Sequence, residues 1–243
     1  MKKTWMSVRF TCLAVFMLFA QFITPPNLQA APPPKPPSTG TPKGNSSPGT
    51  TRPEVTCKQT SKPLTALNAN NGNDYTVSEN PSFWFYVPYT QDDVKRVEFL
   101  LLDGQETTTI YRTEIKLAAK PGLIKVSLPA NSQNSLKPNQ NYRWYLMLSC
   151  RASRSDEPDV VVDGWIQRKI FDSNPQVNKS QKFIFYTKNN IWYDAINDLA
   201  QQRFQNPNNT DIQNAWKNLL KLLGKDWVAQ EQFVDAAIMP IRE

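Results

Sequence analysis

Apolar and polar residues alternate with a period of two from Glu54 to about Phe171, and after Asn174 the apolar positions recur every three to four residues. The first pattern predicts strands over SFWFYVP, VKRVEFLLLD, TTTIYRTEIKL, GLIKVSLP, NYRWYLMLSC and DVVVDGWIQRKIF, with a weaker one near LTAL. Turn signals such as Asp103-Gly104 and Pro121-Gly122 separate them. About seven strands in about 120 residues is the count of a small antiparallel β-sandwich. The second pattern predicts helices over QKFIFYTKN, IWYDAINDLAQQRF and TDIQNAWKNLLKLLG, and a shorter one from Asp226. Trp192, Ile196 and Leu199 form one apolar stripe, and Ile212, Trp216, Leu219, Leu220 and Leu223 another. Asp211 or Thr210 is the expected cap of the latter helix, and Gly224 its stop. One stretch breaks the alternation. FWFYVPY, Phe83 to Tyr89, has no charge and five aromatic residues, so its strand is apolar on both faces. A strand of that kind must be covered twice or must hold something.

The first 53 residues are different again. MKKTWMSVR has Lys2, Lys3 and Arg9 and no acid, and an apolar run of about fourteen residues follows, shorter than the roughly twenty a membrane span needs. Residues 1–30 therefore read as a cleavable signal peptide, with the mature chain beginning at Ala31 and no membrane span left after cleavage. Cys12 lies after Arg9, Phe10 and Thr11, which is not the small-residue setting of lipid attachment. Residues 31–53 hold eight of the twenty prolines and almost nothing that could form a core, which predicts an extended tether. Residues 54–173 are then the sandwich domain and 174–243 a helical segment that packs on it.

Removing the leader changes two inventories. Of three cysteines, Cys57 and Cys150 remain, and an even pair in an exported chain reads as one disulfide. Two thiols acting as metal ligands lack company, because the chain has no histidine and no CxxC. Net charge falls from +7 to +4 as Lys2, Lys3 and Arg9 leave. Lys and Arg are scattered, so no basic stripe points to nucleic acid.

Two motifs narrow the architecture. LKPNQNYRW, Leu136 to Trp144, resembles the tyrosine corner of immunoglobulin-like and fibronectin-type domains, and gives Tyr142 a hydroxyl that bonds back to the corner backbone. Cys57 lies before the first strong strand, which departs from the antibody disulfide pattern. Asn189 to Asn209 resembles the second half of a tetratricopeptide repeat, with Trp192, Ala195 and Pro207 at its aromatic, small and proline positions. Asn190 stands where that repeat prefers glycine. PSFWFYVPY (Pro81 to Tyr89), YRWYLMLSC (Tyr142 to Cys150), VDGWIQR (Val162 to Arg168) and NIWYDAINDLA (Asn190 to Ala200) together resemble the exported, mostly cyanobacterial family called domain of unknown function 928. That resemblance runs from about Thr56 to about Pro240. It implies secretion and a two-part layout, and brings no activity, ligand or catalytic residue with it.

Chemistry is constrained by what the side chains can do. Without histidine, Ser-His-Asp and Cys-His sets are excluded, and no GxSxG, P-loop or GxGxxG pattern occurs. Asp156, Glu157, Asp159 and Asp163 cluster before the last strand, but beside Arg151 and Arg154 they read as a solvated loop rather than a calcium site or a glycosidase pair. Asp194 and Asp198, four apart on one helix, read as a solvent edge. Neither a cofactor nor a metal is expected. Two functions remain. The preferred one is a non-catalytic envelope or secreted module in which the helices offer a groove or edge to another protein. The alternative is a carbohydrate-binding module whose exposed Trp84, Tyr86, Tyr145 or Trp165 stack on sugar rings of a polysaccharide. Burial of those rings decides between them.

Overall fold

A computed structural model describes residues 44–47, 57–131, 133–150, 158–170 and 182–239. The signal peptide, most of the proline-rich segment, and Asp156 and Glu157 of the acidic cluster lie outside the described residues. Among the described residues, eight strands of two β-sheets are followed by three helices, and a ninth strand ends the order. The first sheet has the order β1-β3-β6, from Thr65–Ala66, Ser82–Val87 and Gly122–Ser127. The second has the order β2-β8-β7-β4-β5-β9, from Tyr75–Thr76, Val160–Arg168, Asn141–Ser149, Arg96–Asp103, Thr109–Lys116 and Ala237–Met239. The six longer strands fall where period two places them. Two short ones do not announce themselves: β2 pairs parallel to β8, against the all-antiparallel expectation, and β9 returns the C-terminal segment to the edge of β5. No helix among the described residues is long and apolar enough to cross a membrane.

The two sheets face each other through side chains on alternate positions. Phe83 and Phe85 of β3 meet Phe99 of β4 and Trp144 of β7, with Phe83–Phe99 centroids 4.9 Å apart and Phe85–Trp144 centroids 5.4 Å apart. On β7, Tyr142, Trp144, Leu146 and Leu148 all point into this core. The Tyr142 hydroxyl accepts from Lys137 N–H at 2.9 Å, which ties the corner before β7 to the strand. Cys57 and Cys150 are bonded to each other and belong to the same core.

The other side of β3 supports a second core. Trp84 and Tyr86 project from the β1-β3-β6 sheet into helices α1 (Lys182–Lys188), α2 (Trp192–Gln205) and α3 (Thr210–Leu222) and a 3₁₀ turn at Asp226–Gln230. Helix α2 lies between α1 and α3 and places Ile196, Leu199 and Ala200 on the sheet, and α3 adds Trp216, Leu219 and Leu220. Asn190 adopts φ 58° at the α1–α2 junction, a left-handed conformation that asparagine tolerates and most residues do not, which accounts for its place in a glycine position. Gly224 ends α3 with φ 68°. The cap of α3 is Asn209 rather than the expected Asp211 or Thr210. Its extended backbone lets the side chain accept from Asp211 N–H (3.0 Å) and Ile212 N–H (3.1 Å).

Polar pins fix the helices to the strands. The Tyr193 hydroxyl donates to Trp165 O and accepts from Trp144 Nε1, both at 2.7 Å. Lys225, buried after α3, donates to Asn68 O at 2.7 Å. Asp194 corrects the solvent-edge expectation: it is half-buried, and one carboxylate oxygen accepts from Thr76 Oγ1 (2.7 Å) and Val77 N–H (3.1 Å). Asp198 accepts from Gln202 Nε2 one turn on. Burial pushes the Asp194 carboxyl up to about 6, against the opposing hydrogen bonds and with a small contribution from Asp198.

Two extended stretches close the sides of the β-body. Gly44 to Ser47, which composition assigns to the tether, bridges the sheets: Ala66 N–H donates to Ser46 O and Asp163 N–H to Asn45 O, both at 2.9 Å. On the opposite side, Gln232 and Val234 bond to Leu123 of β6 before the chain crosses to β9.

Two outcomes follow from these bonds. Replacing Cys57 and Cys150 together by Ala opens a loop with a sequence separation of 93 and should lower unfolding free energy by about 4 kcal/mol, read from urea midpoints. For Asp194, folding raises the pKa from 3.8 to about 6. The protonated form therefore contributes stability that is fully present below about pH 4 and is lost as pH rises through about 6, at most about 3 kcal/mol. Asp194→Asn keeps an acceptor and removes the charge. It should be about 1–2 kcal/mol more stable than the parent at pH 8 and should reduce the rise in stability between pH 6 and pH 4, leaving the contributions of Asp74 and Asp198, whose carboxyls burial also raises. A variant less stable than the parent at pH 8 contradicts this.

Candidate functional site

The residues proposed for sugar stacking are not an open platform. Trp84 is 8% exposed and Tyr86 5%, because both lie under the helical layer. The Trp84 indole N–H donates to Asn197 Oδ1 at 3.3 Å, and the Tyr86 ring stands edge-on to Trp227 at 5.1 Å. Tyr145 and Trp165 lie on the outer face of the second sheet, where Arg143 covers them. Its guanidinium is 5.0 Å from the Tyr145 ring and 5.3 Å from the Trp165 ring. Arg143 also donates to Glu106 (2.6 Å) and Asp163 (3.0 Å), and the Tyr145 hydroxyl donates to Glu106 at 2.6 Å. Desolvation first, and then that bond to Glu106, push the Tyr145 hydroxyl well up. These rings are engaged in holding the fold, so the carbohydrate reading loses the residues on which it rested.

The acidic cluster does not gather as a site among the described residues. Asp163 is buried on β8 and accepts from Arg143 and from Asn45 N–H and Nδ2. Asp159 accepts from Cys150 N–H at 2.8 Å. Cys57, Cys150 and Asp159 lie together, but the two sulfurs are joined and have no thiolate to offer a metal.

A groove of about 240 Å³ lies between the end of α2, the edge of β6 and the segment that leads to β9. It exists because of the crossover just described. After Val234 the chain turns away from β6 toward the other sheet, and a space opens between Lys125 and Val234 to Ala236. Phe204 forms one wall and is 68% exposed, although its ring contacts Phe233 at 6.3 Å. The Phe233 ring stands edge-on to Trp84 at 5.3 Å and lies under the Arg203 guanidinium at 4.9 Å. Lys125 Nζ sits 5.9 Å over the Trp84 ring. Gln201, Gln205 and Asp235 supply the remaining polar groups.

Of the sequence-predicted residues, only Trp84 reaches this groove, and it does so by its edge. Phe204 and Phe233 were not singled out by the sequence. A signal was present for one of them: at 100° per residue, Phe204 lies about a third of a turn round the helix from the Trp192–Ile196–Leu199 stripe, an apolar side chain off the buried face. Phe233 follows the last helical turn in a segment with no period, and nothing in the sequence marks it.

No match to the chain was found among curated proteins. A family model does match, from residue 47, in the short strap that joins the two sheets, to Phe233 at the groove. The chain belongs to the family described as Domain of Unknown Function (DUF928), which covers residues 47–233.

Proposed function

We propose that this chain is an exported, non-catalytic interaction module that docks an envelope or secreted protein in the groove beside α2. The observation that carries this reading is Phe204, a large apolar ring left 68% exposed on the wall of a concavity whose floor is aromatic. Large aromatic side chains that become buried on association are enriched at protein interfaces and among their anchors. Export is supported by the disulfide, which persists in oxidising compartments, and by the basic-then-apolar N-terminal pattern. The non-catalytic reading is supported by the lack of histidine and by where the perturbed acids sit. Asp194 holds α2 to Thr76 of β2 and to Val77 after it, and Asp74 accepts from Ala69 and Asn70 N–H to hold a turn. The facing sheets and the bond from Lys137 to Tyr142 favour a sandwich of immunoglobulin-like descent, and the parallel β2–β8 pair sets it apart from the antibody strand order.

The test is retention of envelope proteins on the immobilised, oxidised chain and on its Phe204→Asp variant. The substitution is at the surface and should change stability by no more than about 0.5 kcal/mol. A stoichiometric protein retained by the parent and lost with Phe204→Asp supports the reading. Saturable retention of polysaccharide in its place, competed by a soluble sugar, overturns it.

A further inference from the structure

We propose that the groove receives an extended segment of the partner, carrying an acidic residue beside a large apolar one, which adds as a strand to the open edge of β6 at Lys125. The inference rests on the groove being a docking site and specifies how it is used. Its first support is the hydrogen-bond pattern of β6. Leu123 turns its N–H and C=O away from β3, donating to Gln232 O (2.7 Å) and accepting from Val234 N–H (2.9 Å). Lys125 is two residues on, so its N–H and C=O point the same way. The ladder ends there because Val234 to Ala236 diverge toward β9, and among the described residues neither group has a backbone partner. The groove thus has an unpaired donor and acceptor on its wall, spaced as a strand would need them. Strand addition uses main-chain bonds for affinity and side-chain pockets for choice of partner.

The second support is charge. Lys125 and Arg203 flank the aromatic floor, and among the described residues neither has a carboxylate within ion-pair distance. Asp235 is the acidic residue of the lining and lies on the diverging chain, across from Lys125. A segment that complements this wall places its acid against Lys125 and its apolar side chain between Phe204 and Phe233. A neutral or basic residue then faces Asp235. An open, aromatic-lined edge strand is otherwise a hazard for unspecific pairing, and the flanking cations restrict which segments can take it.

The experiment pans a display library of random eight-residue peptides on the oxidised full chain, then measures the enriched peptides by titration against variants. Lys125→Pro removes the outward N–H without breaking a bond to β3, since Lys125 sits opposite Trp84 in a pair that exchanges no backbone bonds, and proline is tolerated on an edge strand in that position. Lys125→Met, which loses the ammonium and keeps the N–H, is measured beside it, and the effect of strand addition is the loss from Lys125→Met to Lys125→Pro. Enriched peptides should combine an acid with an aromatic or aliphatic residue. They should bind at least tenfold more weakly to Lys125→Pro and to Phe204→Asp, and lose affinity when N-methylated at alternate residues. Peptides that need Phe204 but are indifferent to Lys125→Pro and to N-methylation overturn strand addition and leave the docking site standing. Enrichment that survives Phe204→Asp, or none at all, overturns both. Unfolding midpoints of each variant within 2 °C of the parent, on the order of a small surface change, show that lost binding is not lost folding.

Discussion

The structure depends on one strand being covered on both faces. β3 sends Phe83, Phe85 and Val87 into the core between the sheets and Trp84 and Tyr86 into the core under the helices. Burying a side chain of this size contributes about 2 kcal/mol, so neither face of β3 can be left in water without loss comparable to a large part of a domain's net stability. A three-stranded sheet with apolar residues on both sides has no independent existence. The helices are therefore part of the same folding unit as the strands, and the polar pins at Tyr193, Asp194 and Lys225 set their angle rather than supply the main attraction.

That angle positions the groove. Helix α2 begins where Asp194 is held beside β2 and ends, ten residues later, at Phe204, about 15 Å along the sheet. Phe204 overhangs the first sheet at the point where the crossover to β9 leaves β6. The concavity is thus a by-product of closing the β-body. A chain that must pass from one sheet to the other cannot keep its hydrogen bonds to the first, and the uncovered edge at Lys125 is the consequence.

Much of this architecture was legible because it repeats along the chain. The six longer strands and three helices are set by periods of two and 3.6, which depend on side chains the reader can see. FWFYVPY announced double coverage for the same reason. What escaped is held by backbone bonds between distant residues. β2 and β9 have two and three residues, and Gly44 to Ser47 contributes only carbonyls, amides and the Asn45 side chain, so none carries a period. Asp194 was misplaced because an i, i+4 pair of acids looks solvated, whereas a hydroxyl 118 residues away in sequence, on Thr76, receives it. The candidate site was less legible than the fold. Aromatic residues drew attention to Trp84, Tyr86, Tyr145 and Trp165, yet the helices cover the first two and Arg143 the others, and the exposed ring at Phe204 belongs to a helix end that composition passes over.

Native-state amide hydrogen exchange tests the central claim, that strands and helices share β3 and open together. The account predicts that the slowest amides of Ser82–Val87 and of Trp192–Gln205 exchange with the same opening free energy and respond in parallel to low denaturant. Exchange of α2 through a separate, lower-energy opening that leaves β3 protected would contradict it, because the outer face of β3 would then be stable without its cover.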